Sequence, residues 1–355
     1  MTSSLLQRLG IALPIIQGPM TGSDTPALAA AVSAAGGLGM LGCGMRSPAA
    51  MAEAAAAVRQ QTDRPFGMNL FVQATPTPDE ATVQTAMERL APLYAELGLQ
   101  PQRPTQWCED FAAQFEALVA LRPAVASFTF GILDAAQVAR LHAAGCLVVG
   151  TATTVAEARA WAQVGADAVC ASGTEAGGHR GTFLGDFTAS QVGTLALVPR
   201  CVDAVDIPVI AAGGIMDGRG IAAAQALGAQ AVQMGTAFLA CPESGIGPAY
   251  RQALAQAQDT DTRLTRVFSG RPARGIVNAM MEALAAEEDR VPAYPVQNAL
   301  TGALRRAAAA QGRTSHLSLW AGQGVGAARA LPAGELVAVL TDEWHTACGR
   351  LAAAA

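Results

Sequence analysis

Ala171-Ser172-Gly173-Thr174-Glu175-Ala176-Gly177-Gly178-His179-Arg180-Gly181-Thr182-Phe183 is the stretch on which the reading of this chain turns. The apolar run just before it, Ala166 to Ala171, reads as a buried strand. One histidine therefore stands among glycines at the carboxyl end of a strand. Glycine lets a planar ligand lie against the backbone. Histidine is the side chain most easily poised to move a proton near neutral pH.

Outward from this stretch the same grammar repeats. Between Leu13 and Met234, short apolar runs end in glycine or polar turns and are followed by Ala-rich helical stretches. The strands expected are Pro14–Gln17, Leu38–Leu41, Phe66–Phe71, Val125–Phe130, Cys146–Val149, Ala168–Ala171, Pro208–Ala211 and Ala231–Met234. Helices are expected between them, among them Pro48–Gln60, Ala135–Ala144, Val155–Val164 and Gly218–Leu227. Eight strands alternating with helices predict an α/β fold, a closed (β/α)8 TIM barrel rather than an open sheet. Two places break the rhythm. The link Val72 to Pro123 is long, with helical stretches at Asp79–Leu97 and Trp107–Leu121, and beyond Cys241 the alternation gives way to helices. The division expected is a cofactor-binding barrel over 1–240, a helical lid over its mouth at 241–300, and a segment at 301–355 packing back on the barrel.

Barrel active sites lie at the carboxyl ends of the strands, and phosphate commonly binds after the last two. Here those ends read Gly213-Gly214-Ile215 and Gln233-Met234-Gly235-Thr236. Small residues expose backbone N–H groups to an anion, and the Thr236 hydroxyl adds a donor. Asp217 reads as a helix N-cap. Strand one ends Gln17-Gly18-Pro19-Met20, and strand three carries Asn69, an amide able both to donate and to accept. Of the four histidines, His142 sits at a helix end, and His316 and His345 lie in the irregular tail. Only His179 follows a strand, and it is the candidate catalytic base. Glu175 reads either as its orienting partner, as a ligand contact, or as a solvated carboxylate. Arg180 reads as an anion contact or a surface charge. Arg271 and Arg274 read as structural salt bridges or as contacts to an acidic substrate. Tyr250 and Tyr294, two of only three tyrosines, are candidate substrate contacts.

Composition narrows the chemistry. All 23 basic residues are arginine. The absence of lysine excludes Schiff-base mechanisms and a Walker-type phosphate loop. The 51% hydrophobic and 14% charged content suits a large core, and the net charge of −5 without a basic run argues against nucleic acid and anionic membranes as partners. Seven cysteines with no C-x-x-C pair suggest reduced, mostly buried thiols and a cytoplasmic setting. The amino terminus lacks a signal-peptide layout. The uncharged run Thr25–Met45 carries Pro26 and a Gly36-Gly37-Leu38-Gly39 cluster, which fits helix, turn and strand better than a membrane span. No metal site is expected.

These motifs together resemble the nitronate monooxygenase family, formerly 2-nitropropane dioxygenases. The resemblance runs along nearly all of the chain. It rests on Gln17-Gly18-Pro19-Met20, Glu175-Ala176-Gly177-Gly178-His179-Arg180-Gly181, Ala212-Gly213-Gly214-Ile215 and Gln233-Met234-Gly235-Thr236, with Phe268–Gly275 and Leu319-Trp320-Ala321-Gly322-Gln323-Gly324 further on. It implies FMN held at the barrel mouth and oxidation of alkyl nitronates by O2 without a nicotinamide. Propionate 3-nitronate is the implied substrate type, and the products are a carbonyl compound with nitrite or nitrate. By position, the resemblance assigns FMN binding to Gln17–Met20, Asn69, Gly177, Gly178, Gly213, Gly214 and Gln233–Thr236. It assigns His179 the α-proton of neutral nitroalkanes. Ser172 stands where the family pattern has glutamine. A serine still hydrogen-bonds a ring, with shorter reach. The expected assembly is a monomer or homodimer.

Two other readings stay open at this stage. Flavin reductases that use NAD(P)H, on quinones or enoyl thioesters, share the barrel. Their pattern places an acid after the histidine loop, as in G-H-x-G-E. This chain reads Gly178-His179-Arg180-Gly181-Thr182-Phe183, with no acid until Asp186, which favours the oxygen-using class. The third reading is a flavin- or phosphate-binding barrel without activity.

Overall fold

A computed structural model describes residues 4–354 of the chain. Eight parallel strands form the barrel: β1 (Ile15–Gln17), β2 (Gly39–Gly42), β3 (Phe66–Phe71), β4 (Val125–Thr129), β5 (Leu147–Ala152), β6 (Ala168–Ser172), then β8 (Val209–Ala212) and β9 (Ala231–Met234). The order is β1-β9-β8-β6-β5-β4-β3-β2, and a parallel bridge between Ile16 and Leu38 brings β2 back to β1. The TIM barrel read from the sequence is thus present. Its helices start where short polar side chains can take a free N–H: Ser47, Asp134 and Thr154 each accept one from the first turn. The helices before β6 and β9 stop at Gly165 (φ 91°) and Gly228 (φ 95°), a conformation that favours glycine. The uncharged run 25–45 is helix Pro26–Ala34, a turn and β2, and no described helix is long and apolar enough to cross a membrane.

Strand alternation separates two apolar layers. Val169, Ala171, Val209 and Ala211 face the surrounding helices, whereas Ala168, Cys170, Ile210 and Ala212 fill the barrel interior. Helix Leu5–Leu9 adds Leu5 and Leu9 to that interior. Arg8 of this helix bonds Asp167, and Gln230 bonds the Leu5 N–H. Asp167 and Gln230 precede β6 and β9, so the helix closes the amino-terminal end and leaves the carboxyl end open. Five of the seven free cysteines are buried.

The departures from rhythm build a separate layer. Helix Glu80–Ala95 joins a second apolar core with Val267, Phe268, Met280, Leu300 and Leu304. Helix Phe111–Leu121 returns to the barrel, where Gln114 binds the Cys43 and Arg46 carbonyls. The segment after Cys241 is not helical throughout. β10 (Thr262–Thr265) and β11 (Ala273–Ile276) form an antiparallel pair, and β11 also pairs with β7 (Gly178–His179). The carboxyl-terminal helix Ala333–Ala354 packs Leu336, Val337 and Leu340 into the main core, and its Glu343 accepts the Gly218 N–H.

Candidate active site

A cavity of about 1010 Å³ opens at the carboxyl ends of the barrel strands. Its depth comes from small interior side chains, Cys170 and Ala212, where larger ones would fill the mouth. The Gly18-Pro19-Met20 turn forms one wall. Buried Asp24 sets its shape: Oδ2 accepts the Met20 and Gly42 N–H groups, each at 2.7 Å, and Oδ1 accepts from Arg46 at 2.9 Å. Gln17 does not reach the cavity. Its Oε1 accepts the Met40 N–H at 3.0 Å and its Nε2 donates to the Gly18 carbonyl, so its amide is spent inside the wall. Asn69 is buried but lines the cavity; its Nδ2 donates to Ser127 and Thr129, which leaves its Oδ1 to a ligand donor.

The ends of the paired strands β8 and β9 lie side by side on this cavity. Gly213 (φ 109°) and Gly214 (φ 72°) turn the chain sharply. Among the described residues no acceptor takes the backbone N–H of Gly214, Ile215, Gly235 or Thr236. Thr236 Oγ1 accepts the Gly322 N–H at 2.9 Å, so its own proton is free to donate. A Cβ on Gly235 would meet only Met20, at 3.8 Å, and one on Gly178 would meet nothing within 4 Å. Free donors beside glycine backbone with open space around it suit a phosphorylated, planar group. Asp217 caps helix Gly218–Ala226 and takes no part, as its N-cap reading anticipated. Ser172, Gly177, Gln233 and Met234 line the same cavity.

His179 stands on β7 with its ring boxed by aromatic edges. Phe130, Tyr294 and Trp320 lie at 5.4, 5.5 and 5.4 Å between ring centroids. Its Nε2 is 2.8 Å from Ser269 Oγ. Burial, then the positive charges of Arg271 and Arg305, push its pKa down to about 3, so the ring is neutral at physiological pH. The remaining histidines are elsewhere. His142 binds Asp167, His316 is buried beside Ser315 and Glu96, and His345 lies against Trp344 on the last helix.

The charged residues around His179 differ from their sequence readings. Arg180 is neither a surface charge nor an anion contact. It is 2% exposed and donates to the Ser172, Gly173 and Ser190 carbonyls. Arg271 bonds the Arg180 and Thr182 carbonyls, and Arg274 bonds those of Thr174 and Thr262, so neither makes the expected salt bridge. Glu175 makes no contact with His179; it is half-buried, and both its oxygens accept the Thr194 N–H at 2.9 Å. Tyr250 lines the cavity, but its hydroxyl donates to the Trp320 carbonyl. Tyr294 also lines it, edge-on to Phe130 at 5.2 Å, and burial raises its pKa.

Several participants escaped the sequence reading. Phe130 has φ 79°, stacks on Phe71 at 4.2 Å and carries the Arg271 guanidinium 4.1 Å above its ring. Arg305 lines the cavity, and neither it nor Arg271 has a carboxylate partner among the described residues. Ser269 meets His179 from a turn far along the chain. Only Trp320 and Ser269 carried any signal, as members of the later family-like segments.

The nitronate monooxygenase family model matches residues 2–343. A nitronate monooxygenase from Pseudomonas aeruginosa is 45% identical over 350 residues, covering 97% of this chain and 99% of that one. A probable nitronate monooxygenase from Staphylococcus aureus is 41% identical, covering 96% of each. Among solved structures, nitroalkane oxidase from Streptomyces ansochromogenes superposes with a TM-score of 0.90 at 43% identity, covering 98% of this chain and 99% of that one. FabK from Thermotoga maritima superposes at 0.78 with 31% identity, covering all of both chains. With an eight-stranded barrel whose β8 and β9 ends carry free N–H donors near a neutral histidine, the chain belongs to the nitronate monooxygenase family of flavin-dependent oxidoreductases.

Proposed function

We infer that the enzyme oxidises alkyl nitronates of the propionate 3-nitronate type with O2, to a carbonyl compound and nitrite or nitrate, using FMN. His179 is the base for neutral nitroalkanes. The observation that carries this reading is a histidine kept neutral in an aromatic box at the rim of an anion-ready barrel mouth. FMN, when bound, supplies the redox chemistry. The free N–H groups of Gly214, Ile215, Gly235 and Thr236 and the Thr236 hydroxyl would hold its phosphate. Gly18–Met20, Asn69, Ser172, Gly177, Gly178 and Gln233 would line its ring and chain. With no lysine in the chain, backbone dipoles and arginine carry whatever negative charge the ring develops.

The residues divide the work. The unpaired guanidinium groups of Arg271 and Arg305 make the region electropositive, which draws a nitronate anion toward the cavity. The aromatic walls exclude water around the reacting carbon. For a neutral nitroalkane, the α-proton passes to His179 and the C–H electron pair becomes the C=N bond of the nitronate. A preformed nitronate skips that transfer, so His179 then only positions the anion.

The test is oxygen uptake by FMN-loaded protein with propionate 3-nitronate and no NADH, followed by His179→Asn. Rapid O2 consumption with nitrite or nitrate is expected. The variant should lose turnover of neutral nitroethane while keeping much of its activity on ethyl nitronate. Equal loss on both substrates would remove the base assignment. NADH oxidation with a quinone or enoyl thioester, and none with nitronate, would place the enzyme in the reductase class instead.

A further inference from the structure

Ser269 is 1% exposed and sits in a tight turn, with the Gly270 N–H on the Arg266 carbonyl at 2.7 Å. Gly270 has φ 82°, and a Cβ there would lie 2.0 Å from the Pro292 carbonyl oxygen. The Ser269 hydroxyl has three neighbours: His179 Nε2 at 2.8 Å, the Arg271 carbonyl at 3.1 Å and the Arg271 N–H at 3.3 Å. It owns one proton. The Arg271 N–H occupies one lone pair. No other donor among the described residues reaches the Arg271 carbonyl, so the hydroxyl proton goes there. Toward His179 the serine is then an acceptor, and the nitrogen facing it carries the hydrogen. Nδ1 of His179 has no protein partner among the described residues and is not sealed from the cavity.

We propose that Ser269 is a positioning residue that accepts the Nε2–H of His179 and so presents the Nδ1 lone pair to the substrate. This rests on the reading of His179 as the base. The proton taken from the substrate carbon arrives at Nδ1, and the C–H electron pair stays with the substrate as its C=N bond. The imidazolium so formed keeps Nε2–H on Ser269. Protonation therefore needs no rearrangement of the pair, whereas the opposite tautomer would force the hydroxyl to turn over in each cycle. The FSGR turn thus acts on the reaction through the tautomer of one ring.

The tautomer is read directly by long-range ¹H–¹⁵N correlation on ¹⁵N-histidine-labelled, flavin-loaded protein, with His179→Asn assigning the His179 signals among the four histidines. The expected spectrum has a protonated Nε2 and an unprotonated Nδ1. Ser269→Ala should give averaged nitrogen shifts and lower the nitroethane-to-ethyl-nitronate activity ratio about tenfold. Ser269→Thr, which keeps the hydroxyl, should restore both. A wild-type spectrum with Nδ1–H overturns the proposal, as does Ser269→Ala leaving shifts and ratio unchanged. The base reading fails separately: His179→Asn would then keep its nitroethane activity, whatever tautomer the spectrum shows.

Discussion

Phe130 offers a test of the site that turns on a sign. Its backbone sits at φ 79°, where a Cβ-bearing residue is strained by about 1–2 kcal/mol. Its ring is 7% exposed, stacked on Phe71 and capped by Arg271. Replacing it by Ala or by Gly removes the same ring, and either change should cost about 3–5 kcal/mol from the lost packing. The difference between the two variants isolates the backbone. At an ordinary position Gly is worse than Ala by about 0.5–1 kcal/mol, because it loses more freedom on folding. At φ 79° the relief of strain outweighs that loss, so Phe130→Gly should be the more stable by about 0.5–1 kcal/mol. Urea denaturation of both variants at one fixed flavin concentration reads this as a midpoint difference at equal slope. An Ala variant as stable as the Gly variant, or more so, would show that no strain is stored at the rim of this cavity.

Other perturbations address the remaining parts. His179 binds its proton at about 3 in the folded state against about 6.5 unfolded. Nitroethane turnover should therefore hold steady from pH 8 to 6 and fall only well below 6.5; half-loss at 6.5 in a pH profile would refute it. The same shift means that between 6.5 and 3 the unfolded chain binds the proton and the folded one does not, so stability from this group is complete above 6.5 and drains as pH falls, visible as a lower denaturation midpoint at pH 5. Thr236→Val removes a donor proposed to hold the phosphate and should weaken FMN about tenfold in a fluorescence titration; an unchanged Kd would count against a phosphate at the β9 end. Glu157 is fully buried and accepts from Thr153 N, Thr153 Oγ1, Phe183 N and Leu184 N. Glu157→Gln sets an NH2 against one pair of these donors and should cost about 2–4 kcal/mol in chemical denaturation, with a change under about 0.5 kcal/mol counting against it.

The barrel was legible because each strand is an apolar run closed by glycine or a turn, and most helices between carry their own side-chain cap, Thr194–Val202 after Gly193 being the exception. β7, β10 and β11 were not. β7 is two residues long, and the partner that makes His179 a strand residue lies far along the chain, at Ala273. No local pattern announces such a pairing. The glycine-rich strand ends were legible for the complementary reason: a free N–H at a strand end needs only local backbone. Gln17 shows where that logic stops. Its position beside Gly18 suggested a ligand contact, but a neighbouring strand's Met40 N–H needed its oxygen. Phe130 left no mark at all, since tertiary packing imposes its backbone.

The arginines carry the same lesson into function. In sequence, Arg180 looks like an anion contact or a surface charge, and Arg271 and Arg274 like salt-bridge partners or contacts to an acidic substrate. In the fold, all three spend their forks on carbonyl oxygens of the segments around His179. A glycine-rich loop that lies open to a ligand has few neighbours of its own to satisfy its carbonyls. A buried guanidinium satisfies two or three at once, which a lysine, with a compact charge, does less well. The consequence is electrostatic. Burial first keeps His179 unprotonated; Arg271, besides holding the loop, adds to this by its charge. Replacing Arg271 by a neutral residue would therefore loosen the loop and raise the pKa of His179 together. For Arg271→Gln, the acid limb of nitroethane turnover should move toward 6.5 as activity falls. An unmoved limb with the same loss of activity would mean that this arginine serves structure alone.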